Sequence, residues 1–95
     1  MRKKEILEWA NDKNLLKVEN CYKQYSKLQE ESNELLIAML DNNRAEIADA
    51  IGDCVIVLTI LAEQLGLDID QCVEDAYNVI KNRTGKTING NFIKD

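Results

Sequence analysis

Ninety-five residues leave room for one domain, residues 1–95. A chain this short buries only roughly two-thirds of its extended surface, so self-association is an expected way to gain core. Twelve Lys and Arg against seventeen Asp and Glu give a net charge of −5, which argues against a nucleic-acid binder working through a broad basic face. At 45% apolar and 31% charged, the chain is too hydrophobic to be disordered and too charged for a membrane protein, and a soluble globular domain is expected.

The absence of His removes His-dependent triads, the usual zinc sets and imidazole bases. Cys21, Cys54 and Cys72 are odd in number, widely spaced and set among helix-like residues. They read as small buried hydrophobes in a reducing cytosol. Met1 to Glu5 is basic but leads into no apolar h-region, so no secretion signal is expected. The uncharged stretch from Cys54 to Ala62 is far short of the roughly 20 residues that cross a bilayer.

In chain order, Ile6, Trp9 and Ala10 recur at helical spacing and predict a first helix over about Lys3 to Asp12, with Asn11 to Asn14 as break residues. A long amphipathic helix is predicted from about Leu16 to Leu40, where Tyr22, Tyr25, Leu28, Leu35, Ala38 and Met39 keep a three-four rhythm. Asp41-Asn42-Asn43 favours a turn and an N-cap, hence a helical hairpin. Val55-Ile56-Val57 and Thr59-Ile60 have strand propensity, but the apolar pattern runs from Ile47 to Leu65 before Gly66 and predicts a third helix. Being apolar around most of its circumference, that helix needs cover on several sides, some of it expected from a second copy. Asp68 and Asp70 are N-cap candidates for a fourth helix reaching Lys81 or Arg83, with Cys72, Val73, Ala76, Tyr77 and Ile80 inward. Gly85 and Asn89-Gly90 mark an irregular or hairpin-like tail. The expected fold is an all-α, four-helix single domain.

Two acidic clusters flank the predicted hairpin: Glu30-Glu31-Ser32-Asn33-Glu34, and Glu46 to Asp53 with Asp49 between. At roughly 100° per residue, Glu31 and Glu34 share one stripe of their helix, and Glu46, Asp49 and Asp53 share one stripe of theirs. With the turn centred on Asn42, Glu31 and Asp53 both lie eleven residues away. Four or five carboxylates are therefore expected to converge at one level. Acidic faces are usually only solvated, but Leu35, Ile51 and Cys54 set this stripe at the border of the core, where facing carboxylates repel and lose hydration unless a cation joins them. Oxygen-only donors favour Mg²⁺ or Mn²⁺.

The string Lys27-Leu28-Gln29-Glu30-Glu31-Ser32-Asn33-Glu34-Leu35, followed by Gly52-Asp53 opening an apolar run, resembles the MazG-like members of the all-α nucleoside triphosphate pyrophosphohydrolase superfamily. Asn78 to Lys86 and the ending Asn89-Gly90-Asn91-Phe92-Ile93-Lys94 are similar to small stand-alone versions carried by phages. The resemblance spans roughly Trp9 to the C-terminus. It implies a four-helix bundle completed by homo-oligomerisation, as a dimer or tetramer, and hydrolysis of a nucleoside triphosphate between its α and β phosphates in nucleotide pool control or house-cleaning. It implies a cytoplasmic setting, in a bacterial host or phage-infected cell, with no nucleic-acid or membrane partner. The E-x-x-E of the family falls on Glu31 and Glu34, and its glycine-preceded Asp on Asp53. The family's usual second motif, E-x-x-D, meets Ala50 at its Glu position; Asp49 or Glu46 then substitutes, or Glu46-x-x-Asp49 is itself the pair.

The metal set is accordingly Glu31, Glu34, Glu46, Asp49 and Asp53, with Glu30, Glu31 and Glu34 as the catalytic carboxylates and Glu30 or Glu34 orienting or deprotonating the attacking water. Lys27 could touch phosphate or pair with Glu31. Lys81 and Arg83 could bind the β and γ phosphates or cap a helix C-terminus. Asn78 matches a substrate-contacting position. Trp9, before Tyr22, Tyr25 and Tyr77, is the first choice for stacking on a base. No Gly-rich phosphate loop occurs, Asp68-Ile69-Asp70 lacks the offsets of a calcium loop, and Asn82-Arg83-Thr84 is a sequon without secretory context. The alternatives are a non-catalytic helical interaction module, with the acidic stripe solvated, and a nucleotide-binding protein that has lost catalysis.

Overall fold

The computed structural model describes residues 1–95. Four helices, α1 (Lys3–Asp12), α2 (Cys21–Leu40), α3 (Arg44–Gln64) and α4 (Ile69–Ile80), precede a two-stranded antiparallel hairpin, β1 (Gly85–Ile88) and β2 (Asn91–Lys94). A single 3-10 turn, Val18–Asn20, leads into α2. No helix is long and apolar enough to cross a membrane.

The α2–α3 hairpin is built by its asparagines. Asn42 takes a left-handed φ of +52°, and the amides of Asn42 and Asn43 donate to the carbonyls of Met39 (3.1 Å) and Ala38 (3.0 Å). This double closure satisfies carbonyls that the last turn of α2 leaves free. Asn43 then caps α3, its side-chain Oδ1 accepting from the Glu46 amide at 3.2 Å. At the far end of α3, Gly66 adopts φ +74° and its amide donates to Glu63 while that of Leu67 reaches Ala62, the same closure with glycine in the left-handed place. The β-branched run from Val55 to Ile60 is helical throughout. The Thr59 hydroxyl donates to the Val55 carbonyl at 2.7 Å, so burial of this polar group costs little.

The core is a thin seam where α1 and α2 pack on α3. Its buried apolar residues are Ala10, Ala38, Ala50, Val57, Ile60 and Ala62. The small side chains let the helices approach closely, with Val57 and Ile60 filling the centre. Asp68 caps α4 through the Asp70 amide, and Lys3 of α1 bridges both, at 2.9 Å from Asp68 and 3.0 Å from Asp70.

The face of α4 expected to lie inward does not do so within one chain. Cys72 is partly covered, but Val73, Ala76, Tyr77 and Ile80 are exposed, because α3 is the helix that α4 packs on and its own Val55 and Leu58 stay half-open. The C-terminal segment is a regular hairpin, not irregular: Ile88 pairs with Asn91, and Asn89 (φ +52°) with Gly90 (φ +81°) makes the two-residue turn whose twist matches the strands. Ile88, Phe92 and Ile93 remain exposed on it.

Candidate active site

Asn20 and one stripe of α2, carrying Lys23, Gln24, Lys27 and Glu31, face Asp53, Ile56, Val57, Ile60 and Gln64 of α3 across a cleft of about 550 Å³ that Trp9 and Leu15 complete. That volume is in the range of small-molecule sites. Leu15, Ile56, Val57 and Ile60 give the cleft an apolar wall, with Glu31 and Asp53 as its two carboxylates and Lys23 and Lys27 as its two cations.

Glu31 is 7% exposed, and its Oε2 is buried with no partner. Its Oε1 lies 3.6 Å from Lys27 Nζ, which also reaches Glu30 Oε2 at 3.3 Å. Loss of hydration pushes the Glu31 carboxyl above the usual carboxylate range, Glu34 one turn along pushes it further, and Lys27 opposes both. Asp53 is raised by the same loss of hydration, then by the charges of Asp49 and of Glu31 across the hairpin. Lys27 is raised, first by its bond to Glu30 and then by the charges of Glu30 and Glu31. Glu31 and Asp53 therefore share one level, as their equal distance from Asn42 predicts.

The convergence is narrower than the spacing predicts. No three acidic or thiol side chains are grouped as a ready metal cage, so the four or five carboxylates do not meet at one point. They stand as Glu31 with Glu34 on α2, Asp49 with Asp53 on α3, and Glu31 against Asp53 between them. The position three before Asp53, which turns into the interface, is buried Ala50 and offers no donor. Glu34, Glu46 and Asp49 are exposed and border a neighbouring shallow depression with Ile37 and Ala50. Glu30 is also exposed.

Of the substrate candidates, Lys27 and Trp9 line the cleft, Trp9 with 52% of its surface open. Asn78, Lys81 and Arg83 do not; they lie exposed at the C-terminal end of α4 and beyond. Tyr22, Tyr25 and Tyr77 are exposed outside it. Spacing alone does not single out Asn20, Lys23, Gln24 or Gln64. The first three extend the Glu31 stripe towards the helix N-terminus by steps of three and four, a signal open to a longer reading of that face; Gln64 carries no such signal.

The family model described as phosphoribosyl-ATP pyrophosphohydrolase matches residues 1–78, and so takes in α1 to α3, the whole cleft and most of α4. The chain belongs to this family. The phosphoribosyl-ATP pyrophosphohydrolase family is part of the MazG-like all-α nucleoside triphosphate pyrophosphohydrolase superfamily, in agreement with the resemblance carried by Glu31, Glu34 and Asp53. The family member is 43% identical over 65 residues to an uncharacterized 18.2 kDa protein in the rep-hol intergenic region of Haemophilus phage HP1 (strain HP1c1). That stretch is 68% of this chain but 40% of the phage protein, so the chain spans well under half of that relative. No solved structure matches this chain.

A divalent cation is implied by the resemblance to the superfamily, and the donor set fits one in its chemistry: all-oxygen ligands, an orphaned buried Oε2 on Glu31, and two carboxyls raised by desolvation and by neighbouring carboxylates. The electrostatics also set a pH dependence. Glu31 and Asp53 both hold their protons more tightly folded than unfolded, so the stability they contribute is full below the unfolded values and is lost as pH rises through the folded ones. In chelator, thermal melts taken as pH falls from neutrality towards the unfolded carboxyl values of about 4 are expected to show a rising Tm contribution from this pair, flattened in a Glu31→Gln, Asp53→Asn double variant; an equal rise in that variant would contradict the assignment. Asp68, lowered first by its bond to Lys3, works in the opposite sense, and its stabilisation fades only on further acidification.

Proposed function

We propose that this chain is a Mg²⁺-dependent nucleoside triphosphate pyrophosphohydrolase that converts a (d)NTP and water to a (d)NMP and pyrophosphate, of the MazG-like kind carried by phages. Mn²⁺ is the alternative cation. The role is nucleotide pool control or house-cleaning in the cytoplasm of a bacterial host or phage-infected cell. The observation that carries this reading is the buried, unpaired Oε2 of Glu31, opposite Asp53 in a cleft of nucleotide size with an apolar wall.

In this mechanism Glu31 and Asp53, which line the cleft together, would hold the cation, and Glu34, Asp49 and Glu46, on the adjoining depression, would complete its ligand set. When bound, it supplies charge neutralisation for the phosphates and a water of lowered pKa. Trp9 stacks on the base and the apolar cleft wall excludes water from it. Lys27, held by Glu30 and Glu31, and Lys23 beside it offer positive charge to phosphate oxygens. Glu30 or Glu34 accepts a proton from the attacking water; the water oxygen bonds to the α-phosphorus, the bridging bond to the β-phosphate breaks, and pyrophosphate leaves with that electron pair. No covalent enzyme intermediate is needed.

Asn78, Lys81 and Arg83 are assigned to substrate through a second copy of the chain, in a homodimer or homotetramer. The support is the exposed apolar surface of α4 and the hairpin, Val73, Tyr77, Ile80 and Phe92 among it, which is unusual for a monomer. The test is pyrophosphate release from a panel of common and damaged ribo- and deoxynucleoside triphosphates, with Mg²⁺, Mn²⁺ or chelator. Metal-dependent release from at least one member is expected; no release from any would overturn the reading. Since no three carboxylates form a ready cage, binding without turnover identifies a nucleotide-binding module instead.

A further inference from the structure

Residues 81–95 hold four of the twelve cations and one of the seventeen acidic residues, a net charge of +3, against −8 for residues 1–80. The division is sharpest along the arm that α4 and the hairpin form. Asp68, Asp70, Glu74 and Asp75 stand at its start with no base among them, and Lys81, Arg83, Lys86 and Lys94 follow with no acid among them. None of those four bases, and neither Glu74 nor Asp75, has an ion-pair partner in its own chain.

The arm is also uncovered. Every residue from Val73 to Asp95 is exposed, and the packing of the hairpin is strand on strand, an arrangement only marginally stable in water when nothing covers it. Its two faces are unequal. On one, the Phe92 ring lies over Gly85, where a Cβ would come within 2.7 Å of Cζ. On the other, Lys86 stands across from Ile93 with Ile88 next to them, and both isoleucines are open. Matching chemistry lies at the start of the arm: Val55 and Leu58 of α3 with Ile69 and Val73 of α4 line an apolar groove of about 510 Å³, which Asp70 and Glu74 also border.

Ile69, Val73, Ala76 and Ile80 recur at steps of four, three and four, the spacing of a seam between two packed helices. A parallel pair of such arms sets acid against acid and base against base. An antiparallel pair sets the acidic start of each beside the basic end of the other, and about a two-fold axis one surface becomes its own complement. We propose that two copies of the chain pair through α4 in this antiparallel sense, the hairpin of each seating Ile88 and Ile93 in the groove of the other and bringing Lys86 to Glu74. With 12 residues, α4 is about 18 Å long, so the hairpin that follows one helix arrives beside the start of its partner, where the groove lies. The occupant is a second copy because the chain itself carries the acidic, apolar surface that complements the hairpin. The pairing fixes how the copies are held and does not rest on the reaction assigned to the cleft.

The test reads mass, by sedimentation equilibrium on the full chain, with helical circular dichroism as the check of folding. The wild-type protein is expected to be a dimer or a larger even-numbered assembly, and Ile88→Asp with Ile93→Asp is expected to shift it towards the monomer. Lys86→Glu with Lys94→Glu makes the arm acidic throughout, and Glu74→Lys with Asp75→Lys makes its hairpin and helix basic together. Each of these two variants alone is expected to raise the dissociation constant by roughly tenfold or more. An equimolar mixture of the two is expected to restore association as mixed pairs, less so as salt rises. A monomeric wild type, an assembly indifferent to the isoleucine or charge changes, or a mixture that restores nothing would overturn the proposal, while leaving pyrophosphate release to be judged by its own assay.

Discussion

Glu31→Gln is expected to lower kcat/KM for pyrophosphate release by about 10²–10⁴-fold, because the cation it helps to hold supplies several kcal/mol of transition-state stabilisation. The substitution keeps size and shape while removing the charge that Lys27 and the cation use. The same change is expected to leave Tm at neutral pH at or above the wild-type value in chelator. The reason is that the Glu31 carboxyl sits 7% exposed with one oxygen unpaired and is raised by burial and by Glu34, so its ionised form is held at a cost. Loss of activity together with unchanged or improved stability separates a functional carboxylate from a structural one. A variant that keeps its turnover, or that unfolds, would contradict this role.

Ile60→Ala is expected to have the largest effect on stability. Four of the six buried apolar residues are alanines, and the remaining two are Val57 and Ile60, the latter 3% exposed. Removing most of an isoleucine side chain from such a seam costs about 2–5 kcal/mol. For a domain of this size, with about 4–8 °C per kcal/mol, Tm should drop by roughly 10–30 °C. Ile60→Val, which removes one methylene, should cost about 0.5–1.5 kcal/mol. Equal melting temperatures for wild type and Ile60→Ala would show that the α1–α3 seam is not the element that holds the fold.

The local structure was largely legible because its signals are local. Asn42 and Asn43 punctuate the hairpin, Asp68 caps α4, and Asn89-Gly90 turns the strands, each by chemistry confined to a few neighbouring residues. The apolar run from Val55 to Ile60 was ambiguous by propensity and was decided by its length and by the continuing helical period, which the α3 helix bears out. The level pairing of Glu31 with Asp53 followed from counting out from the turn.

What was not legible depends on contacts distant in sequence. Periodicity gives α4 an apolar face, but it does not say whether this chain or another one covers Val73, Tyr77 and Ile80. Ala50, three residues before Asp53, turns into the interface, so the cluster on α3 presents Asp53 to the cleft and leaves Asp49 and Glu46 towards solvent. Gln64 would pass for a surface residue at a helix end; its burial follows from a bond to the Leu15 carbonyl, 49 residues away in sequence. Its unpaired oxygen has no signature in the sequence at all.

The most direct measurement is a divalent-cation titration of thermal stability at neutral pH, run on wild type, Glu31→Gln and Asp53→Asn. If carboxylates of α2 and α3 together hold the ion, Mg²⁺ or Mn²⁺ at a hundredfold excess over its Kd adds about 2.7 kcal/mol, and wild-type Tm rises with the logarithm of cation concentration, by roughly 10–20 °C at that excess. Both variants, each lacking one side of the pair, are expected to lose most of that rise. A wild-type Tm indifferent to either cation, or an undiminished rise in both variants, would contradict a shared cation site between Glu31 and Asp53.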